Sequence, residues 1–232
     1  MLINFEKKFI YIRPHKVGST SFMHFLTNNQ DSSKFVNYQY FRFNGKIAYY
    51  KDGAALDRLG YAHAPLKLIK QTVSEELFNS YSKVSSIRNP YTQTVSLFLF
   101  HKLRLTRLLA NKQFANLLIQ KPKAALRLVV LSSELKFLWY EYLKKLTPYS
   151  TYIESDGKLI CDDYIRVENY DEDLKSFCSK YGYVYQNNKK LNVNKRSSKE
   201  AYERFLDKKS IDIIKSKFKN IFDRFDYQPP NS

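Results

Sequence analysis

The sequence predicts an α/β fold, a mostly parallel central sheet flanked by helices, and three strand candidates predict it. Phe9-Ile10-Tyr11-Ile12 is short, continuous and rich in aromatic and β-branched residues, as suits a strand buried on both faces of a parallel sheet. Lys83 to Ile87 and Tyr164 to Val167 are further strand candidates. Helical spacing of apolar residues follows each run, and alternating strands and helices define the α/β class.

Taken in order, the first run ends at Pro14, and Lys16-Val17-Gly18-Ser19-Thr20-Ser21 is small and polar. Phe22, Phe25 and Leu26 then recur at helical spacing, so the order is strand, tight loop, helix. Residues 31–60 are rich in Tyr, Asn and Gly without a long period; loops and short strands are expected there, and their topology is not legible. Val73 to Phe78 reads as part of a short helix. The second run stops at Arg88-Asn89-Pro90, because the residue before proline is pushed to extended geometry. Two basic amphipathic helices are expected to fill 92–146, the first through Val95, Leu97 and Phe98, the second running from Glu134 toward Pro148. Their lysines and arginines read more readily as a solvated face than as a binding surface.

Asp156-Gly157 marks a hairpin turn between Tyr152-Ile153 and Leu159-Ile160. The third run leads to a helix from about Asp171 that Gly182 can end. Ser197 and Glu200 have capping-box spacing before a helix through Tyr202 and Phe205. A second start at Ser210 sets Ile211, Ile214, Phe218 and Phe222 along one face. No internal repeat is visible.

At 232 residues the chain suits one domain, 1–232. A hydrophobic share of 44% with 16% aromatics can bury a core, which argues against disorder. The 39 Lys and Arg against 22 Asp and Glu give a net charge of +17, a field that attracts anions. Nucleic acid, nucleotide, anionic lipid and sulfated glycan all fit that field, as does an inert basic surface. Cys161 and Cys178 are too few for a disulfide framework and lack the partners of a zinc site, so no metal is expected. Glu6, Lys7 and Lys8 interrupt any signal-peptide core at the start. No run approaches the roughly 18 apolar residues of a membrane span, so a soluble protein without a transmembrane segment is expected.

The chemistry concentrates in two segments. A small Gly-containing loop between a buried strand and a helix exposes successive backbone N–H groups at the positive end of the helix dipole, which suits a phosphate. Ser19, Thr20 and Ser21 add hydroxyls, and Lys16 can set a cation beside an oxygen that gains charge as a bond to it breaks. An ordinary capped helix would use the same small residues. A Walker A loop needs its lysine after the second glycine, whereas Lys16 precedes Gly18, so this is not an ordinary triphosphatase loop. In the second segment Arg88 closes a strand and Ser96 follows near the start of a helix. The two can meet one anion, each charged hydrogen bond being worth roughly 1.5 to 3 kcal/mol. Taken alone, Arg88 would as readily serve a surface ion pair.

Ile12-Arg13-Pro14-His15-Lys16-Val17-Gly18-Ser19-Thr20-Ser21-Phe22 resembles the 5′-phosphosulfate loop of the carbohydrate sulfotransferases that use 3′-phosphoadenosine 5′-phosphosulfate (PAPS), closest to the heparan sulfate 2-O-sulfotransferase branch. Ser85-Ser86-Ile87-Arg88-Asn89-Pro90 with Ser96 is similar to the family's 3′-phosphate motif, and the two come in the family's order. Tyr164-Ile165-Arg166-Val167-Glu168-Asn169-Tyr170 with Asp173-Leu174 resembles the family's strand-and-helix segment, and Asp223, Phe225 and Tyr227 its final turn. Asn194-Lys195-Arg196-Ser197 sits where related enzymes have a basic loop over the nucleotide, which makes Lys195 and Arg196 candidate PAPS contacts; a solvated basic loop is the alternative. Within 31–70 the match is confined to Tyr61-Ala62-His63-Ala64, where the relative carries a histidine-containing stretch that includes the general base.

The resemblance implies a P-loop-like sulfotransferase fold with PAPS at the strand carboxyl ends. Lys16, Val17, Gly18, Ser19, Thr20, Ser21, Arg88, Ser96, Lys195 and Arg196 would bind PAPS. Lys16 would stabilise the leaving phosphate oxygen. His63 would be the general base, since an ordinary histidine pKa of about 6.5 lets it take a proton near neutrality. His15 is the rival base; His24 and His101 fall inside helices, and Glu168 is a further candidate better suited to structure. The expected partner is a carbohydrate, and an acidic glycan suits the basic surface; no nucleic acid is expected. The alternatives are a non-enzymatic binder of nucleic acid or another polyanion, and a nucleotide kinase. Golgi relatives carry a membrane anchor before the catalytic domain, while here Met1 lies eight residues before the first apolar run. A cytoplasmic, bacterial-type enzyme is therefore expected over a trimmed lumenal fragment.

Overall fold

The computed structural model describes residues 1–28, 35–43, 46–52, 63, 65–109, 136–185, 202 and 204–229. Its strands are β1 (Leu2–Asn4), β2 (Phe9–Ile12), β3 (Phe35–Phe43), β4 (Lys46–Asp52), β5 (Ser82–Ile87), β6 (Glu154–Ser155), β7 (Lys158–Leu159) and β8 (Asp163–Arg166). Its helices are α1 (Ser19–Asn28), α2 (Leu66–Thr72), α3 (Glu75–Ser80), α4 (Pro90–Leu109), α5 (Lys136–Lys145), α6 (Tyr170–Tyr181), α7 (Lys208–Lys217) and α8 (Lys219–Phe225), with a 3-10 turn at Tyr149–Tyr152. The chain forms two compact units, Met1–Arg88 with Tyr149–Asn192 and Asn89–Pro148 with Val193–Ser232. Composition contains no sign of this division.

The first unit is α/β. Its main sheet has the order β4-β3-β1-β2-β5-β8. β2 pairs in parallel with β5, and β5 with β8. β1 runs antiparallel to β2 and to β3, and β4 antiparallel to β3. β3, β2, β5 and β8 therefore share one direction, four of six strands, and the sheet is mostly parallel in that sense with an antiparallel wing. All four residues of β2 are fully buried, as the unbroken apolar run requires. Phe9 and Tyr11 join Leu2, Val84 and Ile165 in a core covered by Phe22, Met23, Phe25 and Leu26 of α1 and by Leu174, Phe177 and Tyr181 of α6. Edge-on aromatic contacts, Phe9 to Phe177 at 5.6 Å and Tyr11 to Phe22 at 4.7 Å, add direction to burial that stabilises by about 1.5–3 kcal/mol per large apolar side chain.

Several boundaries differ from the expectation. The stretch 31–60, expected as loops and short strands, contains the β3–β4 hairpin, paired from Asn37 with Asp52 to Phe43 with Lys46. The short helix expected to include Val73 to Phe78 begins only at Glu75, because Val73 is extended after α2 and Ser74 caps α3 by accepting the Leu77 N–H at 3.2 Å. The Asp156-Gly157 turn is present with positive φ at both residues, the pattern of a two-residue hairpin, between β6 and β7. Gly182 ends α6 in the left-handed region at φ 66, where a side chain would be strained.

The second unit is helical among the described residues. Trp139 donates to Ser210 Oγ at 2.8 Å and packs with Phe98 and Phe205. Asp207, rather than Ser210, starts the last helical segment: its carboxylate accepts the Ser210 N–H at 3.0 Å and its hydroxyl at 2.8 Å. Ser210 is consequently buried inside the first turn of α7. The apolar face continues through Ile214 and Phe218, with a break at Phe218 before Ile221 in α8. The two helices expected over 92–146 appear as α4 and α5, and 110–135 lies outside the described residues, as does the Ser197–Glu200 capping box.

Candidate functional site

The parallel strands β2, β5 and β8 end side by side in the first unit, with Ile12 opposite Ser85 and Ile87 opposite Arg166. Open α/β sheets bind ligands beyond such carboxyl ends. From β2 the chain runs through Arg13 to Gly18 and enters α1 at Ser19. Lys16 and Gly18 both take positive φ, 61° and 71°, on either side of fully buried Val17. Turn conformations of this kind are the raw material of backbone concavities that hold anions. Gly18 has a steric reason as well as a conformational one: a Cβ there would stand 2.9 Å from Val167 Cγ2, just beyond β8. Its carbonyl accepts the Ser21 N–H at 3.0 Å to close the first turn of α1. That turn contains no acidic residue, so nothing in it offsets the positive end of the helix dipole. Ser19 is buried, Thr20 is exposed, and Lys16 and Ser21 are half-buried.

Arg88 leaves β5 half-buried, its carbonyl accepting the Tyr149 hydroxyl at 2.7 Å. Ser96 belongs to the second unit, buried on α4. There Asn89 caps α4 through the Tyr91 N–H at 3.0 Å and donates to the Gln228 carbonyl at 2.7 Å. Lys195 and Arg196 lie outside the described residues.

The structure brings His63 to the phosphate-type loop. Its Nδ1 lies 2.7 Å from the Arg13 carbonyl. A carbonyl only accepts, so Nδ1 carries the hydrogen and Nε2 of the neutral ring keeps its lone pair. The ring lies 3.7 Å from that of His15, centroid to centroid, tilted by 39°. His15 also makes a T-shaped contact with Tyr152 at 5.8 Å. Burial first, then the positive neighbours His15 and Arg13, push the His63 pKa down to about 3, against a smaller upward pull from the Arg13 carbonyl. The ordinary value near 6.5 therefore does not apply to His63 in this surrounding. Arg13 is itself buried, its pKa lowered by desolvation, and its Nε has no hydrogen-bond partner among the described residues. Arg13 places a buried guanidinium at the strand end, a setting in which a bound anion would be favoured.

Other sequence candidates fall outside this cluster. His24 is exposed on α1, His101 lies on α4 and Glu168 is exposed beyond β8. Cys161 and Cys178 are buried free thiols. Two features escaped sequence reasoning: the contact between His15 and His63, and the Tyr149–Tyr152 turn that touches both Arg88 and His15. Neither has a local signal, since both join segments far apart in the chain.

Among the described residues no helix is long and apolar enough to cross a membrane. No protein-family model, curated protein or solved structure matches this chain.

Proposed function

We propose that the chain is a sulfotransferase that moves a sulfonate group from PAPS to a hydroxyl of a carbohydrate, on a P-loop-like sulfotransferase fold. The observation that carries the reading is the contact of His63, with a tautomer that leaves Nε2 unprotonated, with Arg13 and His15, the residues between β2 and the Lys16 to Ser21 loop. The end of β5, with Arg88, is the neighbouring strand end.

In the proposed step an acceptor hydroxyl attacks the sulfur in line, the bond from sulfur to the 5′-phosphate oxygen breaks, and the hydroxyl proton passes to His63 Nε2. Lys16, the N–H groups of the Val17 to Thr20 segment and the Ser21 hydroxyl stabilise charge on the leaving phosphate. Binding of the dianion beside His63 would raise its proton affinity from the low value of this surrounding, which brings the base into use only when the donor is present. Arg88 is the proposed 3′-phosphate ligand. Ser96, Lys195 and Arg196 are proposed PAPS contacts on the strength of the family resemblance. The net charge of +17 suits an acidic glycan acceptor, and a cytoplasmic location is part of the same proposal.

The test is a thermal-shift comparison of adenosine 3′,5′-bisphosphate with AMP and ATP. Selective stabilisation by the bisphosphate is expected. Equal shifts with AMP would remove the 3′-phosphate role of Arg88, and a magnesium-dependent preference for ATP would favour a kinase. The net charge also favours a second reading, a polyanion binder; steeply salt-dependent binding to any DNA duplex with no bisphosphate effect would support it.

A further inference from the structure

The loop after β2 carries a histidine that the proposed transfer does not use. His15 directly precedes Lys16, and its ring rests 3.7 Å from that of His63 and in T-shaped contact with Tyr152. Tyr152 belongs to the 3-10 turn whose Tyr149 hydroxyl holds the Arg88 carbonyl. One imidazole thus ties together the loop, the turn and His63. The hydrogen bond from His63 Nδ1 to the Arg13 carbonyl fixes one atom of that ring and leaves the ring able to turn about the bond. A second ring packed against it at 3.7 Å, tilted by 39°, restricts that turning.

We propose that His15 is a positioning residue for His63, holding the plane in which Nε2 meets an acceptor hydroxyl and setting, by its own charge, how readily His63 takes a proton. The proposal rests on the reading of His63 as the general base. The titratable groups that face His63 are His15 and Arg13 from the loop after β2 and the Met1 amino group ahead of β1, whose own pKa burial lowers to about 4, leaving it neutral near pH 7. A proton on His15 repels one on His63, so the two rings take up protons as a coupled pair.

The experiment uses the full chain labelled with 15N-histidine, as wild type, His15→Phe and His15→Ala. The His63 ring is titrated by NMR, binding of adenosine 3′,5′-bisphosphate is measured by calorimetry, and transfer from PAPS is followed with heparan sulfate as the acceptor probe. In His15→Phe a packed ring remains without its charge, so His63 should titrate at higher pH than in the wild type while kcat stays within about threefold; in His15→Ala kcat should fall about 10²-fold with little change in KM for PAPS. Bisphosphate binding should persist in both variants. An unchanged His63 titration in both variants overturns the inference. Shifted titrations with no transfer by any of the three proteins would uphold the coupling of the rings and remove the sulfotransferase reading.

Discussion

Two ends of the same parallel sheet handle positive charge in opposite ways. At the end of β8, Arg166 meets Asp173 of α6 through two charged hydrogen bonds of 2.6 and 2.8 Å, and the same carboxylate accepts the Arg166 N–H at 2.7 Å. That end is neutralised within the fold and ties strand to helix. At the end of β2, burial first and then the charges of His15 and Arg13 push the His63 pKa down to about 3. The contrast separates a basic residue that serves the scaffold from basic residues placed where an outside anion would complete the balance. Sequence resemblance joins the two segments in one family pattern; only their surroundings distinguish the roles.

The sharpest way to break this contrast is to remove the groups at the β2 end. His63→Ala should lower kcat by roughly 10² to 10⁴ with bisphosphate binding kept; calorimetry showing that binding is lost would end its assignment as base. Lys16→Ala should lower kcat by roughly 10² to 10³, the scale of losing one transition-state donor, and unchanged turnover would take Lys16 out of the mechanism. At the β8 end the expected loss is of another kind. Asp173→Asn should cost stability of about 1–3 kcal/mol in urea unfolding, with KM for PAPS unchanged; a large rise in KM would show that this end also serves the ligand.

A further expected effect is the pH dependence of folding. His63 has a depressed pKa, about 3 when folded against about 6.5 for an ordinary histidine. The unfolded chain therefore binds the extra proton first as the pH falls. The contribution is fully present above about 6.5 and is lost as the pH drops toward 3. The urea midpoint of wild type minus that of His63→Gln should decline across this window, and saturating bisphosphate should narrow it by raising the folded pKa. A difference that stays flat from pH 7 to pH 4 would contradict the burial of a neutral His63.

Legibility followed the range of the interactions. β2 was readable because burial on both faces demands an unbroken apolar run, as in Phe9 to Ile12; β5 mixes polar with apolar residues and was readable by its stop before Pro90. The antiparallel wing was not: β1 has only three residues, and β3 and β4 mix polar with aromatic residues, so their pairing depends on partners elsewhere in the chain. The turn at Asp156-Gly157 was readable because positive φ at both central residues restricts which residues fit. The start of α7 was misassigned because Asp207 and Ser210 are both good caps, and the choice between them follows from Trp139, which buries Ser210.

Within the candidate site, the sequence alone determined the loop from Lys16 to Ser21 and the arginine at position 88, since glycine at a tight turn, small hydroxyl residues at a helix start and a proline-stopped strand act over a few residues. Tertiary structure alone decided that His63 lies against Arg13 and His15, that its hydrogen sits on Nδ1, and that its proton affinity is low. Those properties come from burial and from charges contributed by distant segments, and a linear sequence carries neither until the chain has folded.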